Sequence, residues 1–155
     1  MDADTVATLG RLGAAAAFGL SALGSALGTG AAGPAAIGAW KKCFAQNKAA
    51  PFILTVFAGA PMSQTIYGMI LMNQMTALCN AAGFANWGAM LGAGLFGGLA
   101  IGASAWWQGK AGAAASDALA ETGKGFGNYL MVLGIIETIA LFVLVFVGAV
   151  FKTGA

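Results

Sequence analysis

Residues 126–151, FGNYLMVLGIIETIALFVLVFVGAVF, are apolar almost throughout and carry one carboxylate, Glu137, near their middle. At ~1.5 Å per residue a helix of this length covers about 39 Å, enough to cross the ~30 Å hydrocarbon core of a bilayer. A carboxylate at such a depth costs roughly 2.5–3.5 kcal/mol on insertion scales, so it faces protein or water rather than lipid. The stretch predicts a membrane-spanning helix, with the rest of the chain sheltering, neutralising and presenting Glu137. The plainer alternative is a protonated glutamate that only ties helices together by hydrogen bonds.

The remaining sequence agrees with a membrane setting. The chain has 155 residues, is 59% hydrophobic and only 8% charged, and has a mean hydropathy of +0.83. A soluble domain is nearer a quarter charged. The net charge of +2, with no basic patch interleaved with aromatics, argues against nucleic-acid binding. Histidine is absent, which removes the commonest general base and zinc ligand. No P-loop is present either, so the chain is read as non-enzymatic, without ATPase activity of its own. Cys43 and Cys79 lack metal-ligand spacing and fall at opposite ends of one predicted span. They are read as free, packed thiols rather than a disulfide. Acidic residues near the N-terminus stand where a secretory signal carries basic ones, so the first span is read as retained.

Four apolar segments follow one another. The first, 12–37, is nearly all Ala, Gly, Leu and Ser and contains GSALG at 24–28, a small-xxx-small pattern that lets helix backbones approach closely in lipid. Pro34, near its end, is placed to kink or shorten it. A basic connection, WKKCFAQNK at 40–48, leads to the second span, 51–78. Pro61 interrupts that span, leaves the Phe57 carbonyl without its helical donor and can expose the Ala60 carbonyl. Within a membrane such oxygens need another partner, which can be an ion. NAAGFANW at 80–87 reads as a turn with an interfacial tryptophan. The third span, 87–107, is again glycine-rich, and alanines carry its helix on towards Glu121 before a turn at 122–125. Lys41, Lys42, Lys48, Lys110 and Lys124 lie in or near the two long connections, with Arg11 and Lys152 near the ends. The positive-inside rule then places both connections in the cytoplasm and both termini outside.

The halves resemble each other. SALGTGAAG at 25–33 lines up with SAWWQGKAG at 104–112, and Phe52 with Phe126, which sets Ser63 in the place of Glu137. The expected architecture is an all-α membrane protein of four transmembrane helices in two tandem hairpins, 1–79 and 80–155, the second carrying the carboxylate. On the second span, Ala60, Ser63, Gln64 and Tyr67 share one helical face by their i, i+3, i+4, i+7 spacing. Gln108 and Glu137 are equidistant from the turn at 122–123, hence level in an antiparallel pair. The same arithmetic about 46–47 brings Thr29 opposite Gln64. The predicted site is Glu137, Gln108, Gln64 and Ser63 at mid-membrane, with Tyr67 beside them either packing or steadying the carboxylate. One carboxylate, several neutral oxygens and a kinked backbone suit a small hard cation. A proton needs less, since a buried carboxyl takes one up readily. The two glutamines and the serine favour sodium over protons.

These residues resemble the membrane-ring proteolipid of V-type and bacterial V/A-type rotary ATPases, in its four-helix form. The matching motifs are APMSQTIYG at 60–68, QGK at 108–110 and IET at 136–138. The resemblance implies a homo-oligomeric ring in membrane lipid, whose carboxylate carries ions past a stator membrane protein bearing an essential arginine. It implies a central-stalk protein docked at the cytoplasmic loops. It also implies Na+ ligands at Glu137, Gln108, Gln64, Ser63 and the carbonyl of Ala60, with H+ the alternative ion and Tyr67 holding the glutamate. Ser63 stands where the family motif has threonine. Trp106 and Trp107 replace small residues near Gln108, and their bulk is expected to point away from neighbouring helices. Two rivals are a small four-helix cation-coupled antiporter, which would work as a dimer, and a structural tetraspan protein with no transport role.

Overall fold

A computed structural model describes residues 1–81 and 84–150; Phe151 and Lys152, used in the readings of the last span and of orientation, lie outside the described residues. The described chain is all helical: α1 (Ala3–Ala45), α2 (Leu54–Gly59), a 3₁₀ turn (Ala60–Met62), α3 (Ser63–Cys79), α4 (Trp87–Thr122) and α5 (Phe126–Val150). With α2, the 3₁₀ turn and α3 taken as one span, four helices among the described residues are long and apolar enough to cross a membrane. The chain is an all-α membrane protein.

The first helix outruns its predicted length, whereas α4 runs on to Thr122 as its alanines predict. Pro34 neither ends α1 nor shortens it, and the helix continues to Ala45. Packing supports the extension, because Ala36 and Ala39 beyond the proline are buried with Ala115 and Leu119 of α4, and the buried Cys43 directs its thiol to the Ala120 carbonyl at 3.8 Å. That burial compensates for the backbone hydrogen bond a proline removes. At the same end Lys42 pairs with Glu121 at 3.4 Å and with Asp117 at 4.0 Å. α4 stops where Gly123 takes a left-handed conformation, φ 66°, and its N–H bonds back to the Leu119 carbonyl, a glycine stop signal. Asn47, φ 54°, turns the chain after α1. At the other end Arg11 donates to Asn80 Oδ1 at 2.9 Å, so the start of α1 lies beside the turn after α3.

The most extensive helix pair is α1 with α4. Their contact is backbone on backbone: a Cβ on Gly24 would overlap the Gly102 carbonyl, and one on Gly109 would overlap that of Gly28. The glycine patterns of the first and third spans therefore meet each other, as expected of small-residue interfaces in lipid. α3 packs against α1, and α5 against α4. α5 leaves Met131, Ile135, Ile139, Phe142, Val145 and Phe146 exposed, the surface a lipid-facing helix presents.

Two apolar clusters flank a polar middle. One gathers Ala17, Leu71, Met75, Met90, Ile101 and Ala140; the other gathers Leu54, Phe57, Ala115, Leu119 and Leu133. Between them on α3, α4 and α5 lie Gln64, Gln108 and Glu137. Both cysteines are free and buried, as their spacing predicts.

Candidate cation site

Pro61 builds the first wall of the site. It converts one turn of the second span to a 3₁₀ helix, where Ala60 O accepts the Ser63 N–H. The Ser63 hydroxyl donates to the same Ala60 carbonyl and to Gln64 Oε1, both at 3.1 Å. The Phe57 carbonyl, deprived of its donor by the proline, is turned against Gly112 of α4, where a Cβ would come within 2.6 Å of it. The predicted break in the helix is therefore present, and it delivers the Ala60 carbonyl to the serine beside the glutamines.

A chain of hydrogen bonds then crosses three helices. Gln64, fully buried, donates through Nε2 to Gln108 Oε1 at 2.9 Å. Gln108, also buried, donates through its own Nε2 to the Leu133 carbonyl at 3.0 Å and to Glu137 Oε2 at 3.3 Å. Tyr67 donates its hydroxyl to Glu137 Oε1 at 2.6 Å. Both carboxylate oxygens thus accept hydrogen bonds from neutral groups. The ion pairs among the described residues are those of Lys42 at the far end of α1, none of which involves Glu137. Glu137 itself is half-buried, near the middle of α5 and beside the exposed Ile135 and Ile139.

Of the residues named from the sequence, Ala60, Ser63, Gln64, Tyr67, Gln108 and Glu137 are joined in this one network. Tyr67 does more than pack, since its hydroxyl is engaged on the carboxylate. Thr29 is not in the network. Its hydroxyl turns back to its own helix, onto the carbonyls of Ser25 at 2.9 Å and Ala26 at 3.2 Å. The register between α1 and α3 explains this: Ser21 packs against Gly68, and Gly28 against Pro61, which puts Ser25 and not Thr29 level with Gln64. Trp106 and Trp107 do point outward, exposed and against each other, with the Lys110 ammonium 4.4 and 4.6 Å from their rings. The sequence reading missed the Leu133 carbonyl and Ser104, whose hydroxyl donates to the Ile136 carbonyl at 2.8 Å and pins α5 next to Glu137. A serine at a repeat-equivalent position was the available signal for the second; nothing in a sequence marks a carbonyl.

The oxygens gathered here are of the kind a hard cation takes as ligands. Ala60 O, Ser63 Oγ, Gln64 Oε1, Gln108 Oε1 and the Glu137 carboxylate are all oxygens, and one of them is anionic. Among the described residues no cluster of three or more His, Cys, Asp or Glu exists, so the arrangement does not match transition-metal or multi-carboxylate sites. The polar middle lies between apolar layers, where each oxygen left without a partner is costly.

No curated protein matches the chain. The family model for the C subunit of ATP synthase matches residues 91–147. The second hairpin, over the stretch that holds Ser104, Gln108 and Glu137, is therefore similar to that ATP synthase family.

Proposed function

We propose that this chain is the four-helix proteolipid of a V/A-type rotary ATPase rotor ring, and that it carries sodium on Glu137. The observation that carries this reading is the hydrogen-bonded set of oxygens running from the Ala60 carbonyl through Ser63, Gln64 and Gln108 to the Glu137 carboxylate. The family match over residues 91–147 supports the ring assignment, and four spans support the doubled-hairpin form. A carrier of protons alone would not require two buried glutamines and a broken helix beside the acid.

The mechanism follows from charge and burial. With a sodium ion bound, the carboxylate is neutralised and can turn through lipid at tolerable cost. Amide, hydroxyl and carbonyl oxygens replace the water the ion gives up. Gln108 stands between Gln64 and Glu137 and presents its oxygen to one and its nitrogen to the other. Rotation of that amide towards an arriving cation exchanges a donor for an acceptor beside the carboxylate. At a stator arginine the ion is released, since the cationic side chain competes for the same carboxylate. Glu137 is well placed for that meeting, half-buried on the most exposed helix. The paired ends of α1 and α4, around Lys42 and Glu121, would face the cytoplasm and dock the central stalk, with both termini outside.

Two measurements test the proposal. Mass determination of the detergent-solubilised assembly should give a large closed ring; a dimer overturns it. Dicyclohexylcarbodiimide should label Glu137, and sodium should slow the labelling. Labelling with no sodium protection at any pH removes sodium from the proposal and leaves proton carriage.

A further inference from the structure

Among the buried side-chain nitrogens and oxygens of the described residues, Ser25 Oγ is the one without a hydrogen-bond partner. Buried hydroxyls are rarely left so. Comparable residues of the described chain are satisfied: Ser21, Thr29 and Ser116 each donate to a carbonyl one turn back on their own helix. Ser25 is 4% exposed and does not.

Its position shows what it faces. Ser21, Ser25 and Gly28 lie on one stripe of α1, and Gly68, Gln64 and Pro61 on one stripe of the antiparallel second span. The ends of the two stripes touch, Ser21 on Gly68 and Gly28 on Pro61. The middles, Ser25 and Gln64, are therefore opposite each other, and both are buried. A carboxamide nitrogen has two hydrogens to give. Gln64 Nε2 gives one to Gln108. In the other hairpin the aligned serine, Ser104, directs its hydroxyl to the facing helix, at the residue before Glu137.

We propose that Ser25 is a positioning residue of the cation site, whose hydroxyl accepts the Gln64 Nε2–H and so holds Gln64 Oε1 turned towards the ion. The need arises on loading. As Gln108 Oε1 turns to the cation, the Gln64 amide gives up the acceptor it has in this structure, and Ser25 supplies another. The helix α1, otherwise a packing partner, thereby sets the affinity of a site it does not line. This inference rests on the sodium reading above.

The test uses the purified assembly and measures the sodium concentration that half-protects Glu137 from dicyclohexylcarbodiimide. Ser25→Ala should raise it about five- to tenfold, the effect of losing roughly one net hydrogen bond. Ser25→Cys, close in volume but a weak acceptor, should behave like Ser25→Ala and replaces it if that variant does not assemble. Ser25→Thr, which keeps the hydroxyl, should stay near the wild type. The labelling rate without sodium should be unchanged in all three, because Ser25 acts on Gln64 and not on the acid. Wild-type protection in both the Ala and Cys variants overturns the inference. So does a shift that follows side-chain size, with Thr worst, which would mark a packing role. Either result leaves the sodium reading standing. A wild-type ring that sodium does not protect overturns both.

Discussion

The first hairpin brings only neutral groups to the middle of the molecule, whereas the second brings the charge. Pro61 breaks the first hairpin's returning helix and brings the Ala60 carbonyl and the Ser63 hydroxyl together beside Gln64. The second hairpin's returning helix, α5, is unbroken and carries Glu137 with both oxygens hydrogen-bonded. Where the halves are aligned, Ser63 stands for Glu137. On the function proposed, one carboxylate per four helices would make the second hairpin the carrier and leave the first to tune it. Affinity and charge can then be altered in separate places.

The sharpest way to break that division is to remove the charge. Glu137→Gln should reduce ion transport by more than about a hundredfold, measured as sodium uptake into vesicles, while the mass of the assembly stays unchanged. Retained transport would end the assignment of the second hairpin as carrier.

Gln108 joins the two hairpins, so its loss should be felt by both. Gln108→Leu removes bonds to Gln64, the Leu133 carbonyl and Glu137. At roughly 0.5–1.5 kcal/mol for each, thermal stability should fall, and because the ion also loses the Gln108 oxygen proposed to bind it, the sodium needed for half-protection should rise at least tenfold. Ser63→Ala, which changes the first hairpin alone, should raise it about fivefold, and Ser63→Thr should not. If Ser63→Ala abolished transport as Glu137→Gln does, the tuning role would be wrong.

Packing between the hairpins should be less sensitive than the site. Gly109→Ala places a methyl group on the Gly28 carbonyl and should cost about 1–3 kcal/mol, read as a lower midpoint of thermal dissociation in detergent. The smallest effect lies at the N-terminus. Asp2 caps α1 by accepting the Thr5 N–H at 2.8 Å, which holds its carboxyl below the ordinary 3.8. Because its folded pKa is depressed, the cap is present above the ordinary value and lost as pH falls through the lowered one. Faster amide exchange at Thr5 in Asp2→Ala, with unchanged sodium protection, should report it.

The sequence settled more of the site than of the registers that build it. Equal distance from a turn placed Gln108 beside Glu137 and failed for Thr29, although both estimates are off by about one helical turn. Ser104 bonds Ile136 and Gln108 bonds Leu133, so the backbone level of Gln108 is Leu133. Glutamine and glutamate are long enough to bridge that turn, and threonine is not. The irregular residues 48–53 lie wholly on one side of the turn centre at 46–47, which shifts α1 against α3.

Four apolar runs, one intramembrane acid, two facing glycine patterns and a proline beside Ser63 were fixed by residue chemistry, because the cost of charge and open backbone in lipid does not depend on tertiary detail. The full length of α1, the Leu133 and Ile136 carbonyls as acceptors, and the placing of Ser25 opposite Gln64 depended on how helices are rotated and slid against one another. Those quantities arise from side-chain contacts between distant segments, and no local pattern carries them.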